Sequence, residues 1–139
     1  MIQIGHDQKL PFMSKFLSEI ARVEHLAGIS IRDYFGFGNH SQVGLKYFKG
    51  EESEDGCEHF IGEVNSKNEL HGRGIYIYHQ NRSGILIDID HYKKGERALG
   101  KYIHIFSDGE FVVGECYLDY GQTCIGGTSY KPDGTSQEL

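Results

Sequence analysis

Residues 60–78 read FIGEVNSKNELHGRGIYIY. An apolar pair, Phe60-Ile61, precedes Gly62-Glu63. A polar loop follows, then His71-Gly72-Arg73-Gly74 and an alternation of Ile and Tyr. Two glycines beside a histidine and an arginine admit two readings, a ligand loop or a folding element. A dinucleotide fingerprint opens a helix with its glycines. Here they open a period-two run, the pattern of a strand. Recurrence along the chain decides between the two.

The stretch recurs. Gly62 stands twelve residues before Gly74. Twenty-six residues on, Asp88 stands twelve before Gly100. Twenty-six further, Gly114 stands twelve before Gly126, and one step back from Gly62 lies Gly36. Apolar pairs precede these positions: Tyr34-Phe35, Phe60-Ile61, Leu86-Ile87 and Val112-Val113. Turn signals close the units at Asp55-Gly56, Asn81 to Gly84, Asp108-Gly109 and Asp133-Gly134. Four imperfect units fill residues 34–137. Each has room for two short strands and two turns, a hairpin that must stack on its neighbours to be stable. His71 and Arg73 do not recur; Arg97 and Leu99, then Thr123 and Ile125, take their places. The glycines therefore read as bends or close backbone approaches, not as a phosphate cradle.

FIGE…HGRGIYIY, followed by FSDGEFVVGE at residues 106–115, resembles the MORN (membrane occupation and recognition nexus) repeat. Residues 60–78 carry the resemblance best. Residues 108–115 match the family's join between units, with Val112 at its aromatic position. The resemblance covers about three quarters of the chain, as a divergent member. Val64 and Cys116 stand where the family often has tryptophan, the period is slightly longer, Asp88 replaces a glycine, and Gly36 and Gly44 lack the twelve-residue spacing. It implies an elongated array of hairpins and a role in scaffolding, cytoskeletal or ciliary structures and dimerisation. It also implies an affinity for phospholipid.

Strand side chains alternate between faces. Tyr76, Tyr78, Tyr102, His104 and Tyr130 share one phase, with Phe60 and Val64 as candidate companions. Ile75, Ile77, Ile103 and Ile105 share the other, with Ile61, Ile87, Ile89 and Val113. One face is aromatic and hydroxylated, the other aliphatic. Eight strands make an array roughly 35–40 Å long.

Residues 11–27, PFMSKFLSEIARVEHLA, have helical spacing: Phe12, Phe16, Ile20, Val23 and Ala27, widened by Leu17 and Leu26. Pro11 suits the first helical position and Gly28 the stop. A helix of this length spans roughly 25 Å, so it covers much of the aliphatic face as a cap. Sheet curvature, a second copy or another protein must cover the rest. The expected organisation is an N-terminal segment, 1–33, and a repeat array, 34–139. The expected fold is mainly β, an elongated antiparallel array of hairpins with one N-terminal helix.

Composition narrows the function. The chain has 139 residues, net charge −6, and 19 glycines against two prolines. That glycine share is about twice the usual ~7%, as tight turns between short strands require. No Lys/Arg cluster marks a nucleic-acid surface. The acidic run Glu51-Glu52-Ser53-Glu54-Asp55 reads as a solvated loop and repels anionic lipid. No apolar stretch reaches the ~18 residues of a membrane span, and the start lacks signal-peptide features. Cys57, Cys116 and Cys124 are an odd number for a disulfide framework and indicate a reducing, intracellular setting, cytoplasmic or cytoskeletal. They lie in no nucleophile motif. Cys57-Glu58-His59 and Asp88-Ile89-Asp90-His91 lack zinc-site spacing.

The expectation is a non-enzymatic interaction module, with no catalytic residue, cofactor or metal, and with protein partners in a hetero-complex or homodimer, as a subunit of a larger assembly. The expected partner-binding residues are Tyr76, Tyr78, Tyr102, His104 and Tyr130 on the sheet and Phe12, Phe16 and Ile20 on the helix. The alternatives are a phospholipid-binding adaptor, which the net acidity disfavours, and a regulatory repeat domain accompanying an enzyme. Nucleic acid is not an expected partner.

Overall fold

The computed structural model describes residues 12–35, 45–80, 84–97, 100–116 and 124–138. Two helices, α1 (Met13–Ala27) and α2 (Ile31–Phe35), precede the strands. The strands are β1 (Lys46–Glu52), β2 (Gly56–Val64), β3 (Leu70–Gln80), β4 (Ile85–Lys93), β5 (Glu96–Arg97), β6 (Gly100–Ile105), β7 (Phe111–Cys116), β8 (Cys124–Tyr130) and β9 (Ser136–Glu138). They form one antiparallel sheet in chain order, with the two-residue β5 set beside β4 so that β6 follows β4 in the sheet. The fold is mainly β, an open array of hairpins behind an N-terminal helix.

The 26-residue period is visible in the pairing. Ile77 pairs with Ile87, and adding 26 to both gives Ile103 with Val113, which also pair. Three turns share one construction, at residues 65–69, 106–110 and 131–135. In each, the first N–H bonds the carbonyl four residues on, and the fourth N–H returns to the first carbonyl. The fourth position has positive φ and holds Asn68, Gly109 and Gly134. Asp108 and Asp133 accept the N–H two residues on, which is why Asp-Gly marks these turns.

The repeated glycines at 74 and 100 serve close approach. A Cβ on Gly74 would sit 2.7 Å from the Tyr92 ring, and one on Gly100 would run into the His91 ring. Gly100 also has φ of 141°. Gly74→Val should therefore cost about 1–3 kcal/mol by overpacking. Gly100→Val should cost more, because strain at φ adds to the clash. Thermal melts of both variants check this; two unchanged melting temperatures would remove the structural role of the column.

The aliphatic phase faces α1. Ile61, Ile75, Ile77, Ile87, Ile89, Ile103 and Ile105 are buried with Phe12, Phe16, Ile20 and Val23 in one core. Gly28 ends α1 in the left-handed conformation, its N–H on the Glu24 carbonyl. The Glu24 carboxylate then accepts the Ile31 N–H at 2.8 Å and starts α2. This second helix differs from the expectation. Tyr34 and Phe35, read as the apolar pair of a first unit, are helical, and the first described strand begins at Lys46. Phe35 is buried in the core, and the Tyr34 hydroxyl donates to the Gly114 carbonyl at 2.8 Å. Burial pushes the Tyr34 phenol up to about 12. Beyond α1, α2 adds Ile31 and Phe35 to the same core; Phe12 packs near Tyr47 and His59 at one end of the sheet, and the Phe111 and Tyr130 rings stack on each other at the other. Pro11, Gly36, Gly44 and Asn81 lie outside the described residues, as do the side chains of Cys116 and Cys124.

Arg73, from the opening motif, is structural. Its Nε and Nη2 donate to the Glu63 carboxylate at 2.7 and 2.6 Å, and its Nη1 donates to the Phe35 carbonyl at 3.4 Å. Gly72, at φ of 111°, leaves the room that Glu63 occupies.

Among the histidines on the helix side, His59 and His79 contribute to an acid limit, beside His91, whose pKa burial and then Arg73 also lower. His59 is buried, its Nδ1 2.7 Å from the Tyr47 hydroxyl, with the Phe12 ring at 4.3 Å. Burial, then the charges of His79 and Lys49, lower its pKa, against an opposing effect of Glu52. Burial, then Lys15, lower that of His79. The unfolded chain therefore takes up these protons first, near pH 6.5. The stability the two contribute is full above that pH and is lost as pH falls through and below it. Urea unfolding at pH 7.5 and 5.5 should show this loss, and His59→Gln should reduce it. An equal loss in the variant would remove His59 as a source.

Candidate functional site

The other sheet face carries no helix among the described residues. One row of paired residues crosses it: Phe48, Phe60, Tyr76, Asp88, His104 and Val112, on β1, β2, β3, β4, β6 and β7. The Phe60 and Tyr76 rings lie 5.2 Å apart. The Tyr76 hydroxyl donates to Glu58 Oε2 at 2.6 Å. Burial, then this bond and the Glu58 charge, push the Tyr76 phenol well above its usual range. In the next row Asp90 pairs with Gly74, over which the Tyr92 ring packs. Asp90 is 2% exposed. His104 Nε2 lies 3.4 Å from Asp90 Oδ1 and 3.8 Å from Asp88 Oδ1. The Tyr102 ring flanks His104 at 4.8 Å. The centre of the face is thus acidic and aromatic.

The expected residues divide. Tyr76, Tyr78 and His104 lie on this face and are half-buried. Tyr102 also lies on it but is 5% exposed, its hydroxyl held against Gly127. Tyr130 does not belong there. It pairs with Phe111, the rings stacked at 4.6 Å on the helix side. Adding 26 to the pair Asp88 and His104 gives Gly114 with Tyr130, but Gly114 pairs with Gly127. An odd offset turns every side chain to the opposite face. Phe12, Phe16 and Ile20 are 0%, 0% and 5% exposed. Their apolar surface is spent in the chain's own core, so they are not a partner surface in this conformation.

No spacing along the chain joins His104 to Asp88 and Asp90, which lie on a neighbouring strand. The available signal was Asp88 in a column that elsewhere holds Gly62 and Gly114. His91, considered with those carboxylates, points to the helix side, where it lies 6.0 Å from Phe35. On the helix side, a groove of about 290 Å³ runs between α1 and the turns at Gly84 and Gly109. It is lined in part by Phe106, 42% exposed, the large apolar side chain most open to solvent among the described residues. No helix among them is long and apolar enough to cross a membrane. No family model, curated protein or solved structure matches the chain.

Proposed function

We propose that this chain is a non-enzymatic interaction module of the MORN-like repeat type, a subunit of a larger assembly that binds protein through the helix-free sheet face. The observation that carries the reading is the asymmetry of the sheet. One face is sealed by the chain's own helices; the other presents half-buried Phe60, Tyr76 and Tyr78 around Glu58, Asp88 and Asp90. Aromatic side chains with few ordering degrees of freedom make good contact anchors. The carboxylates select a partner that presents Lys or Arg. Two copies of this face would bring like charges together, which disfavours a face-to-face homodimer. Anionic lipid is disfavoured for the same reason.

The test compares the full chain with Tyr78→Ala/Glu58→Lys on the open face and Lys15→Glu on the helix side. Proteins captured from native cells are identified by mass spectrometry, and the purified partner is titrated into each version. Loss of binding in the open-face variant alone is the expected result. Equal binding by that variant, a homodimer in light scattering that persists in it, or retention on anionic vesicles at physiological salt would each overturn the reading.

A further inference from the structure

We propose that Asp88, Asp90 and His104 form a binding site for a divalent transition-metal ion of the zinc type. Their ligand atoms all lie within 4.8 Å of one another. Metal–oxygen and metal–nitrogen bonds near 2.0–2.2 Å place neighbouring ligands of a tetrahedral ion about 3.3 Å apart. His104 Nε2 is already 3.4 Å from Asp90 Oδ1 and 3.8 Å from Asp88 Oδ1. Small side-chain adjustments therefore bring the three onto one ion.

The backbone sets this convergence. Asp88 and His104 are directly opposed in the ladder between β4 and β6, and Asp90 is two residues on, on the same face. Gly74 beside Asp90 leaves room for the Tyr92 ring, which packs over it. The burial of Asp90 is a separate observation. Asp90 is 2% exposed, so an ion drawn to His104 and Asp88 would meet a carboxylate shielded from bulk water, where its attraction is screened less. The donor chemistry selects the ion. Two carboxylates and one imidazole suit zinc and its neighbours, and three protein ligands leave a position for water or a partner's side chain. Asp88 and His104 keep 27% and 19% of their side-chain surface exposed, so the site is reached from solvent on that side. The inference does not depend on the interaction reading, because the isolated chain tests it.

The experiment is titration of the full chain with Zn²⁺ by calorimetry and with Co²⁺ by visible absorption. The expected result is one equivalent bound, with Co²⁺ absorption characteristic of low coordination number. Zn²⁺ at about 100 times its dissociation constant should raise the melting temperature by roughly 8–14 °C. His104→Ala, Asp88→Asn and Asp90→Asn should each weaken binding by more than the roughly 10- to 100-fold that loss of a supporting partner costs. His25→Ala, on the exposed side of α1, should not. If Asp90→Asn fails to fold, the other two variants decide. Absence of binding at millimolar Zn²⁺, or equal affinity in His104→Ala and Asp88→Asn, overturns the site.

Discussion

The double variant Phe16→Ala/Ile20→Ala should melt at least about 15 °C below the wild-type chain. Both side chains are buried, one turn apart on α1, against the isoleucines of the sheet. Truncating a buried Phe costs about 3–5 kcal/mol, and a buried Ile about 2–5. They share a cavity, so the costs do not simply add. Even a total near 5 kcal/mol is a large part of the roughly 5–15 kcal/mol that holds a domain folded. For a chain of this size each kcal/mol moves the midpoint by roughly 3–5 °C. The rival is that α1 docks into a partner and is loosely held in the free chain. It predicts an unchanged melt and a helix open to protease. That pair of results would remove the capping role and return Phe12, Phe16 and Ile20 to the surface. The packing of Arg22 over the Phe111 ring at 5.5 Å favours a helix seated on its own sheet.

What was legible in the sequence had a short-range cause. Helical spacing placed α1, and Gly28 placed its end. Alternation of Ile with Tyr separated the two faces at Ile75 to Tyr78 and at Tyr102 to Ile105. Asp108-Gly109 and Asp133-Gly134 marked turns because Gly takes positive φ and Asp bonds the next N–H but one. What stayed hidden depends on offsets between strands. A three-residue departure from the period sends Tyr130 to the core face, and no pattern within β8 reports it. The five-residue α2 is too short for periodicity to register. It forms because Glu24 caps it and the core receives Ile31 and Phe35. The approach of His104 to Asp90 spans 14 residues and needs the β4–β6 ladder to become visible.

The two halves of the functional reading meet in the same side chains. Asp88 and Asp90 interrupt an aromatic sheet face, and Asp88 does so in a column where the repeat otherwise has glycine. Under the two proposals they meet a cation, a metal ion in the isolated chain or a basic side chain in a complex. Titration of the partner with and without Zn²⁺ separates these. Competition indicates one cation position; enhanced binding indicates an ion that bridges the two proteins.

Glu63→Ala should cost about 3 kcal/mol or more, although it touches neither the proposed interface nor α1. Glu63 holds the guanidinium of Arg73 through two short bonds and also accepts its backbone N–H at 2.8 Å. The side chains are 10% and 14% exposed, for Arg73 and Glu63 respectively. Removing one partner of a buried pair leaves the other charge without compensation, which costs about 3–5 kcal/mol. The damage should spread to α2, whose Phe35 carbonyl is bonded by the same guanidinium. Hydrogen exchange should therefore quicken at residues 31–35 before it does in β6 and β7. Glu63→Gln keeps the shape and an acceptor but loses the charge, so it should fall between Glu63→Ala and wild type. Glu63→Leu with Arg73→Met removes both charges and should recover much of the loss, since well-packed apolar replacements of buried pairs are often neutral or better. A single Glu63→Ala variant within 0.5 kcal/mol of wild type, the range usual for surface changes, would show that the pair is solvated. Arg73 would then cease to be the tie between the repeat sheet and the helices that cover it.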